Sequence, residues 1–365
     1  MARLLVISNY SSMTKVNPEA EIFISLQQIG HEVVICTYPD SEYTPRFEAA
    51  GIRVIPWHPL KKGNPKEVRK IRSLLDEIQP DCLFLFNSKA IITGIQAAIG
   101  KDVQVILYRG YSANIHWWDP FAYSKFLHPR VDKIICNSIG VQRHIQRNSL
   151  FVKDKTITIH KGHKLEWYQN IKAHDRSNLP VKKDSVIFTC VANDRRMKGI
   201  KYLMDAINQL PAENKAAFVL IGKGLDQPKY TKRLTHTEAR NRVHFLGYRK
   251  DALEYVAASD AFILTSTKGE SITKAVLEAM GLGIPPVITD IEGNIELVEP
   301  EKNGIVVLSK NPNSIKEGIL KMCQLSTQER HEMGKASQNR IATVLSHERT
   351  VKLYDSLIAK LVRLS

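Results

Sequence analysis

The feature that most constrains this chain is the alternation of short apolar runs with helical patterns along its length. In the first half the runs are "RLLVIS", "EVVICT", "IRVIPW", "DCLFLF", "VQVILY" and "KIICNS". They are rich in β-branched residues and apolar with little interruption, as strands buried on both faces of a parallel sheet must be. The stretches between them place apolar side chains at helical spacing: in "NPKEVRKIRSLLDEIQ", Val68, Ile71, Leu75 and Ile78 share one face. Asn64 and Pro65 open that helix as N-cap and first residue, and Asn17 and Pro18 repeat the device in "NPEAEIFISLQQIG". Strand and helix in turn predict parallel βαβ units.

After Ile159 the alternation lapses into a polar segment, "HKGHKLEWYQNIKAHDRSNLPVKKDS", and then restarts with "VIFTCVA", "GIKYLMDAINQL", "AFVLIG", a basic helix near residues 227 to 239, "VHFLG", "DALEYVAAS", "AFILTS", "PPVIT" and "GIVVL". A chain of 365 residues is too long for one ordinary core. The expected architecture is α/β: two Rossmann-like, doubly wound domains facing each other across a cleft, over residues 1–165 and 180–345. The last stretch, residues 346–365, reads as a helix that packs back on the first domain.

Cys36, Cys82, Cys136, Cys190 and Cys323 lack CxxC or metal-type spacing, and four lie in apolar runs, so they read as buried free thiols of a reducing compartment. The opening "MARLLVISNY" fits neither a signal peptide nor a membrane-spanning helix, and the expected location is cytoplasmic. The net charge of +15 favours anionic partners, yet it is dispersed: 22 Lys+Arg against 15 Asp+Glu in residues 1–170, and 30 against 22 in the rest. No basic tail or RNA- or DNA-binding motif stands out, which argues against a nucleic-acid partner.

Within "GESITKAVLEAMGLGIPPV", seven residues separate Glu270 from Glu278, and Glu278 is the only charged side chain between Lys274 and Asp290. Ser271 reads as the helix N-cap, with Glu270 just outside the first turn. Glu278 then lies two turns along, beside inward-facing Ile272, Ala275, Val276, Ala279 and Met280. A carboxylate in such surroundings needs donors. Two sources would serve: a ligand's ribose diol, or an arginine or backbone amides of the fold itself.

The longer run "LTSTKGESITKAVLEAMGLGIPPVI" resembles the nucleotide-sugar domain of glycosyltransferase family four, a large retaining family of the GT-B fold. The resemblance implies that Glu270 meets the donor sugar near its reacting face, beside Ser271 and Ile272, and that Glu278 holds the ribose. In "VANDRRMKGIKYLMDAI", Lys198 before Gly199 matches the family's diphosphate-binding lysine. Asn193 occupies the usual place of its arginine, and Arg195 or Arg196 stands in, Arg196 by preference; the plainer reading of "DRRMK" is a solvated basic turn. Cations and helix N-terminal amides suit the departure of a nucleoside diphosphate, because they stabilise the growing negative charge. "VLIGKGLD" resembles the family's GxG turn and marks Gly222, and "VHFLGYRK" resembles the segment near the base and marks Gly247, Tyr248 and Arg249. "GNIELVEPEKNGIVV", with Glu296, Asn303 and Gly304, resembles the family's closing loop and reads as structural.

The first domain should supply acceptor contacts. Its first loop, "SNYSSMTKVN", lacks the family's glycines but offers Ser11 and Ser12 as donors. "RGYSANIHWWDP" gathers Arg109, Tyr111, His116, Trp117, Trp118 and Asp119, rings to stack on sugars and charges to orient hydroxyls; for Trp117 and Trp118 a role in closing a core is equally open. Lys161, Gly162, His163 and Lys164 replace the family's Asn-Gly-Val-Asp, and the plainer reading of the lysines is a solvated face. Residues 61–72 hold six basic side chains and one acid, a face suited to an anionic membrane surface.

The expectation is a retaining, metal-independent hexosyltransferase with no cofactor beyond a nucleoside diphosphate sugar as co-substrate. Its catalytic residues would be Glu270, Lys198 and Arg196. Its acceptor would be a glycan or glycolipid, as in bacterial cell-surface polysaccharide or lipopolysaccharide assembly. The alternatives are another sugar-nucleotide enzyme of the same fold, such as an epimerase, and a basic nucleic-acid-binding protein.

Overall fold

The computed structural model describes residues 1–111 and 115–363, apart from the side chains of residues 13–17, 150 and 151. The chain divides into two units, Met1–Gly162 with His347–Ser365, and His163–Ser346. In the first, β1 (Arg3–Ile7), β2 (Glu32–Cys36), β3 (Arg53–Ile55), β4 (Cys82–Leu85), β5 (Gln104–Arg109), β6 (Lys133–Cys136) and β7 (Thr156–Thr158) form a sheet ordered β3-β2-β1-β4-β5-β6-β7. Every pairing is parallel. The order reverses between β1 and β4, and such a switch point opens a crevice at the carboxyl ends of its strands.

The helices of this part are α1 (Met13–Gln28), α2 (Thr44–Ala49), α3 (Pro65–Ile78), α4 (Ser88–Ala98), α5 (Pro120–Tyr123) and α6 (Ile139–Asn148). Asn64 caps α3 through its side chain, which accepts from the Lys66 N–H at 2.9 Å, and the helix buries Ile71, Leu74, Leu75 and Ile78. The Asn-Pro reading of the first helix does not hold. Helix α1 starts a turn earlier, with Ser12 at the N-cap and Pro18 inside, where it forfeits one intrahelical hydrogen bond. The Asn17 side chain lies outside the described residues.

The second unit is a six-stranded parallel sheet of β8 (Val186–Val191), β9 (Ala216–Ile221), β10 (Val243–Gly247), β11 (Ala261–Leu264), β12 (Pro286–Thr289) and β13 (Ile305–Val307), ordered β10-β9-β8-β11-β12-β13. Its switch point lies between β8 and β11. Its helices are α7 (Ile200–Ile207), α8 (Pro228–Thr231), α9 (Thr237–Asn241), α10 (Ala252–Ala257), α11 (Lys274–Gly281), α12 (Pro312–Gln324) and α13 (Thr327–Thr343). The single basic helix expected near residues 227–239 is two short ones, α8 and α9. Between them the Thr235 N–H donates to the Asn208 side chain at 2.9 Å instead of to a helical carbonyl. The β-branched Thr231, Thr235 and Thr237 do not favour bridging the gap.

The chain ends in α14 (His347–Val362), which belongs to the first unit and packs beside α1. Val351, Tyr354, Leu357, Ile358 and Leu361 join Phe23 and Phe84 in the core on that face of the sheet, and α3, α4 and α6 cover the other. All five cysteines are free thiols, and burial pushes Cys36, Cys82, Cys136 and Cys190 up to about 12. Among the described residues no helix is long and apolar enough to cross a membrane.

Candidate active site

In the second unit, four neighbouring strands deliver the expected donor-binding residues to one edge of the sheet. Gly247 ends β10 and Tyr248 follows it, Gly222 follows β9, Asn193 to Lys198 follow β8, and Glu270 to Ile272 follow β11. The last two segments flank the switch point. Two glycines make the arrangement possible. Gly199 has φ +67°, and a Cβ there would meet the Thr265 carbonyl oxygen at 1.9 Å; Gly222 has φ +149°, and its Cβ would meet the Ala192 oxygen at 1.7 Å. Both positions need backbone freedom and close approach that other residues lack. Through Gly199 the turn Arg196–Lys198 lies against the end of β11, where the Thr267 N–H donates to the Met197 carbonyl at 2.7 Å.

There Lys198 Nζ stands 2.6 Å from Glu270 Oε1, with the two side chains 14% and 12% exposed. Glu270 also accepts from Ser266 Oγ at 3.3 Å and from Thr273 Oγ1 at 3.2 Å. The Thr273 hydroxyl has one proton and a second acceptor, Asn294 Oδ1, at 2.9 Å. Three groups thus reach one carboxylate, Lys198 from before α7, Ser266 after β11 and Thr273 at the start of α11, and Asn294 Oδ1 competes for the Thr273 proton. Arg195 and Arg196 are exposed on the same turn, as is Asn193, and Asp194 between them is tied down by Lys229 at 2.6 Å and the Tyr230 hydroxyl at 2.7 Å. The hydrogen bond from Lys229 holds the Asp194 carboxyl below its ordinary pKa, so its charge is secure.

Ser271 is not the cap of the helix. It is buried at 6% exposure, and α11 starts at Lys274 with Thr273 in the N-cap place. Either hydroxyl could serve by sequence; with Ser271 buried, the helix starts two residues later, and the Thr273 hydroxyl faces Glu270 and makes no cap bond. Ile272 is half-buried outside the helix and packs against the core. Glu278 does lie on α11, 16% exposed, but its partner is neither an arginine nor a backbone amide: Lys274 donates to it one turn back. Tyr168 stands near as well. Burial, and then the Glu278 charge, push its hydroxyl pKa up, and it bonds His163 Nδ1. The Lys274 pairing was legible in the four-residue spacing. Tyr168 comes from a segment more than a hundred residues away, and nothing local in the sequence signals it.

Arg249 is engaged elsewhere. It donates to Asp251 at 2.9 and 2.7 Å and lies 5.3 Å from the centre of the Tyr255 ring. Among the described residues one group has ligand atoms close enough for a metal, His174, Asp251 and Glu254, all within 4.8 Å. The Arg249 guanidinium already occupies both oxygens of that aspartate, so the charge a metal would bring is largely supplied.

In the first unit the expected acceptor residues gather after β1 and β5. Ser11 and Ser12 follow β1, and the Ser11 N–H donates to Asn9 Oδ1 at 3.0 Å. His116 stacks on Trp118 with ring centres 4.9 Å apart and bonds Asn148 at 3.1 Å. Trp117 and Trp118 close no core, being 64% and 65% exposed. Asp119 caps α5, accepting from the Phe121 N–H at 3.0 Å. Arg109 donates from Nε to the Tyr111 carbonyl at 2.8 Å, and its guanidinium lies 4.8 Å from the Phe126 ring centre. Nor is Lys161 on a solvated face. It meets buried Glu19 at 2.7 Å and lies 4.2 Å from the Tyr108 ring centre. Burial pulls the Lys161 pKa down, and Glu19 and Tyr108 outweigh it and hold the pKa above the ordinary value.

Two parallel doubly wound units with this edge geometry define a protein of the GT-B fold. Residues 171–340 match the family model for glycosyl transferases group 1, and residues 21–167 match that for glycosyltransferase family 4. Both halves are therefore glycosyltransferase-type domains. The chain is 29% identical over 65% of its length to an uncharacterized glycosyltransferase of Methanocaldococcus jannaschii, MJ1069. It is 31% identical over 35% of its length to an Escherichia coli UDP-Gal:alpha-D-GlcNAc-diphosphoundecaprenol alpha-1,3-galactosyltransferase. The matches span 61% and 34% of those relatives. Among solved structures, Anabaena Alr3699/HepE in complex with UDP is similar over 99% of this chain and 100% of its own, with a TM-score of 0.76 at 20% identity.

Proposed function

We propose that this chain is a retaining glycosyltransferase that moves a hexose-like unit from a nucleoside diphosphate sugar to a hydroxyl of a glycan or glycolipid, with no metal or other cofactor. The observation that carries the reading is the Lys198–Glu270 pair at the switch point of the second unit. A cation and a carboxylate, each mostly withdrawn from water, are held side by side where a doubly wound sheet takes its ligand. A diphosphate would draw on the lysine and a sugar's hydroxyls on the carboxylate.

In this mechanism Lys198 and Arg196, with Arg195 and Asn193 on the same turn, neutralise the diphosphate as the bond from the anomeric carbon to the phosphate oxygen breaks. The acceptor oxygen bonds that carbon from the same face, and its proton passes to the leaving phosphate oxygen, so no separate base is needed. Glu270 orients the sugar with Ser271 and Ile272 beside it, and Glu278 takes the ribose diol. Gly247 and Tyr248 border the base, and Gly222 forms the GxG turn of the donor site. Two named relatives support a uridine nucleotide: one solved with UDP, the other named for UDP-Gal and a diphosphoundecaprenol acceptor. The diphosphoundecaprenol in the second name also supports work on lipid-linked sugars, as in bacterial surface polysaccharide or lipopolysaccharide assembly. The proposed location is the cytoplasm, peripheral to the inner face of the membrane.

The test is Glu270→Ala assayed with UDP-sugars. Losing an interaction made chiefly in the transition state should lower turnover by about a hundredfold while donor affinity changes by less than about threefold. Unchanged turnover would refute the role of Glu270.

A further inference from the structure

Beside its switch point the first unit holds a cavity of about 470 Å³, formed by the ends of β4 and β5 and by the segment Ile115–Phe126. That size suits a sugar phosphate head group and excludes a whole lipid-linked substrate. Two cations line it from different elements, Arg109 at the end of β5 and Lys125 after α5. The guanidinium is fixed in place by its bond to the Tyr111 carbonyl and by the Phe126 ring. Burial lowers its pKa, against which Tyr111 and Cys136 act, so an anion there would meet a partly dehydrated cation. The carboxylate in the lining, Asp119, caps α5, its Oδ1 accepting from the Phe121 N–H.

The mouth is aromatic. Phe121 and Tyr111 both line the cavity and face solvent, at 77% and 37% exposure, and Trp117 and Trp118 stand exposed just before α5. Rings that serve only to stack on a sugar would be enclosed in such a cavity; two at its mouth and two beyond it, all this exposed, need a further partner. Trp and Tyr favour the boundary between apolar chains and water.

We propose that this cavity seats a phosphate-bearing amphiphile: the head group lies within, its phosphate against Arg109 and Lys125, and its apolar tail runs out over Phe121, Trp117 and Trp118. Its designation as the acceptor subsite rests on the transferase reading; the binding chemistry does not.

The test uses the full chain and three probes followed by calorimetric titration: farnesyl phosphate below its aggregation threshold, farnesol, and inorganic phosphate. Farnesyl phosphate should bind at least about tenfold tighter than either of the others, the scale of one charge-assisted contact. Arg109→Gln and Lys125→Gln should each weaken it about tenfold and leave farnesol unaffected, with Arg109→Lys recovering part of the loss. Phe121→Ala should weaken farnesyl phosphate and farnesol alike. Equal binding of farnesol would show an apolar surface without an anion seat, equal binding of phosphate a site for a soluble anion, and no binding of any probe an unused cavity; each overturns the proposal. A parallel titration with UDP reports the donor site in the second unit, so loss of that signal, and not of the first, counts against the transferase reading.

Discussion

Glu270 and Glu278 look alike in sequence and stand in different surroundings. Glu270 is held by Lys198 and two hydroxyls, so substituting either hydroxyl should loosen it without unfolding the unit. Thr273→Val, which keeps the shape and removes the donor, should lower turnover by about tenfold with little change in melting temperature; one hydrogen bond to a charged group is about 1.5–3 kcal/mol. Equal loss of turnover and stability would mean the hydroxyl only supports the helix. A second residue, His58, reports on pH. It is buried, its Nδ1 donates to the Pro59 carbonyl at 2.9 Å, and its Nε2 accepts from Asn87 at 2.8 Å. Burial, with the Lys89 charge acting in the same sense, lowers its pKa from 6.5 to about 4. The unfolded chain therefore binds the proton first, and this histidine makes stability fall as pH drops from about 6.5 to about 4. Replacing it with Gln should flatten that part of the curve in denaturant titrations at stepped pH; an unaltered slope would assign it to other groups.

At the scale of elements, the parallel sheets were legible because strands buried on both faces must be apolar almost without a break, as "DCLFLF" is. Asn64-Pro65 likewise announced α3, since few other pairs supply both a cap and a preset first residue. Ser271 and Thr273 show the limit. Both can cap, and the choice goes with Gly293, which lies so close to the Ser271 backbone that a Cβ there would meet it at 2.5 Å, and with Asn294, which engages Thr273. Those contacts come from a loop about twenty residues away. The Glu270 shell was half legible for the same reason: Lys198 lies in a recognisable turn, whereas Ser266 and Asn294 acquire their meaning only once the strands are side by side. That turn makes its own prediction. Gly199→Ala sets a Cβ against the Thr265 carbonyl at positive φ. The turn must move to relieve it, so the variant should lose donor affinity, read as a raised UDP dissociation constant, together with about 1 kcal/mol or more of stability. A stable variant with unaltered UDP binding would separate the turn from the donor.

At the scale of the whole molecule, the chain crosses between the units twice, at Gly162–His163 and again at Ser346–His347. The first unit is thus completed by a helix that arrives after the entire second unit. Tyr354 on α14 is buried between Phe23 and Phe84, with ring centres 6.3 and 6.1 Å away, in the core that also holds Phe86 and Ile106. Truncating it leaves a hole that strands already hydrogen-bonded on both sides cannot close. Tyr354→Ala should therefore remove about 3–5 kcal/mol, as large-to-small changes of buried rings do. In a unit of this size that lowers a melting transition by roughly 10 °C. The expected pattern in scanning calorimetry is two transitions, of which the variant lowers one and UDP raises the other, because a ligand stabilises the unit that binds it. A single transition moved by both would mean that the units unfold as one, and that the terminal helix supports the donor site as much as the sheet it covers.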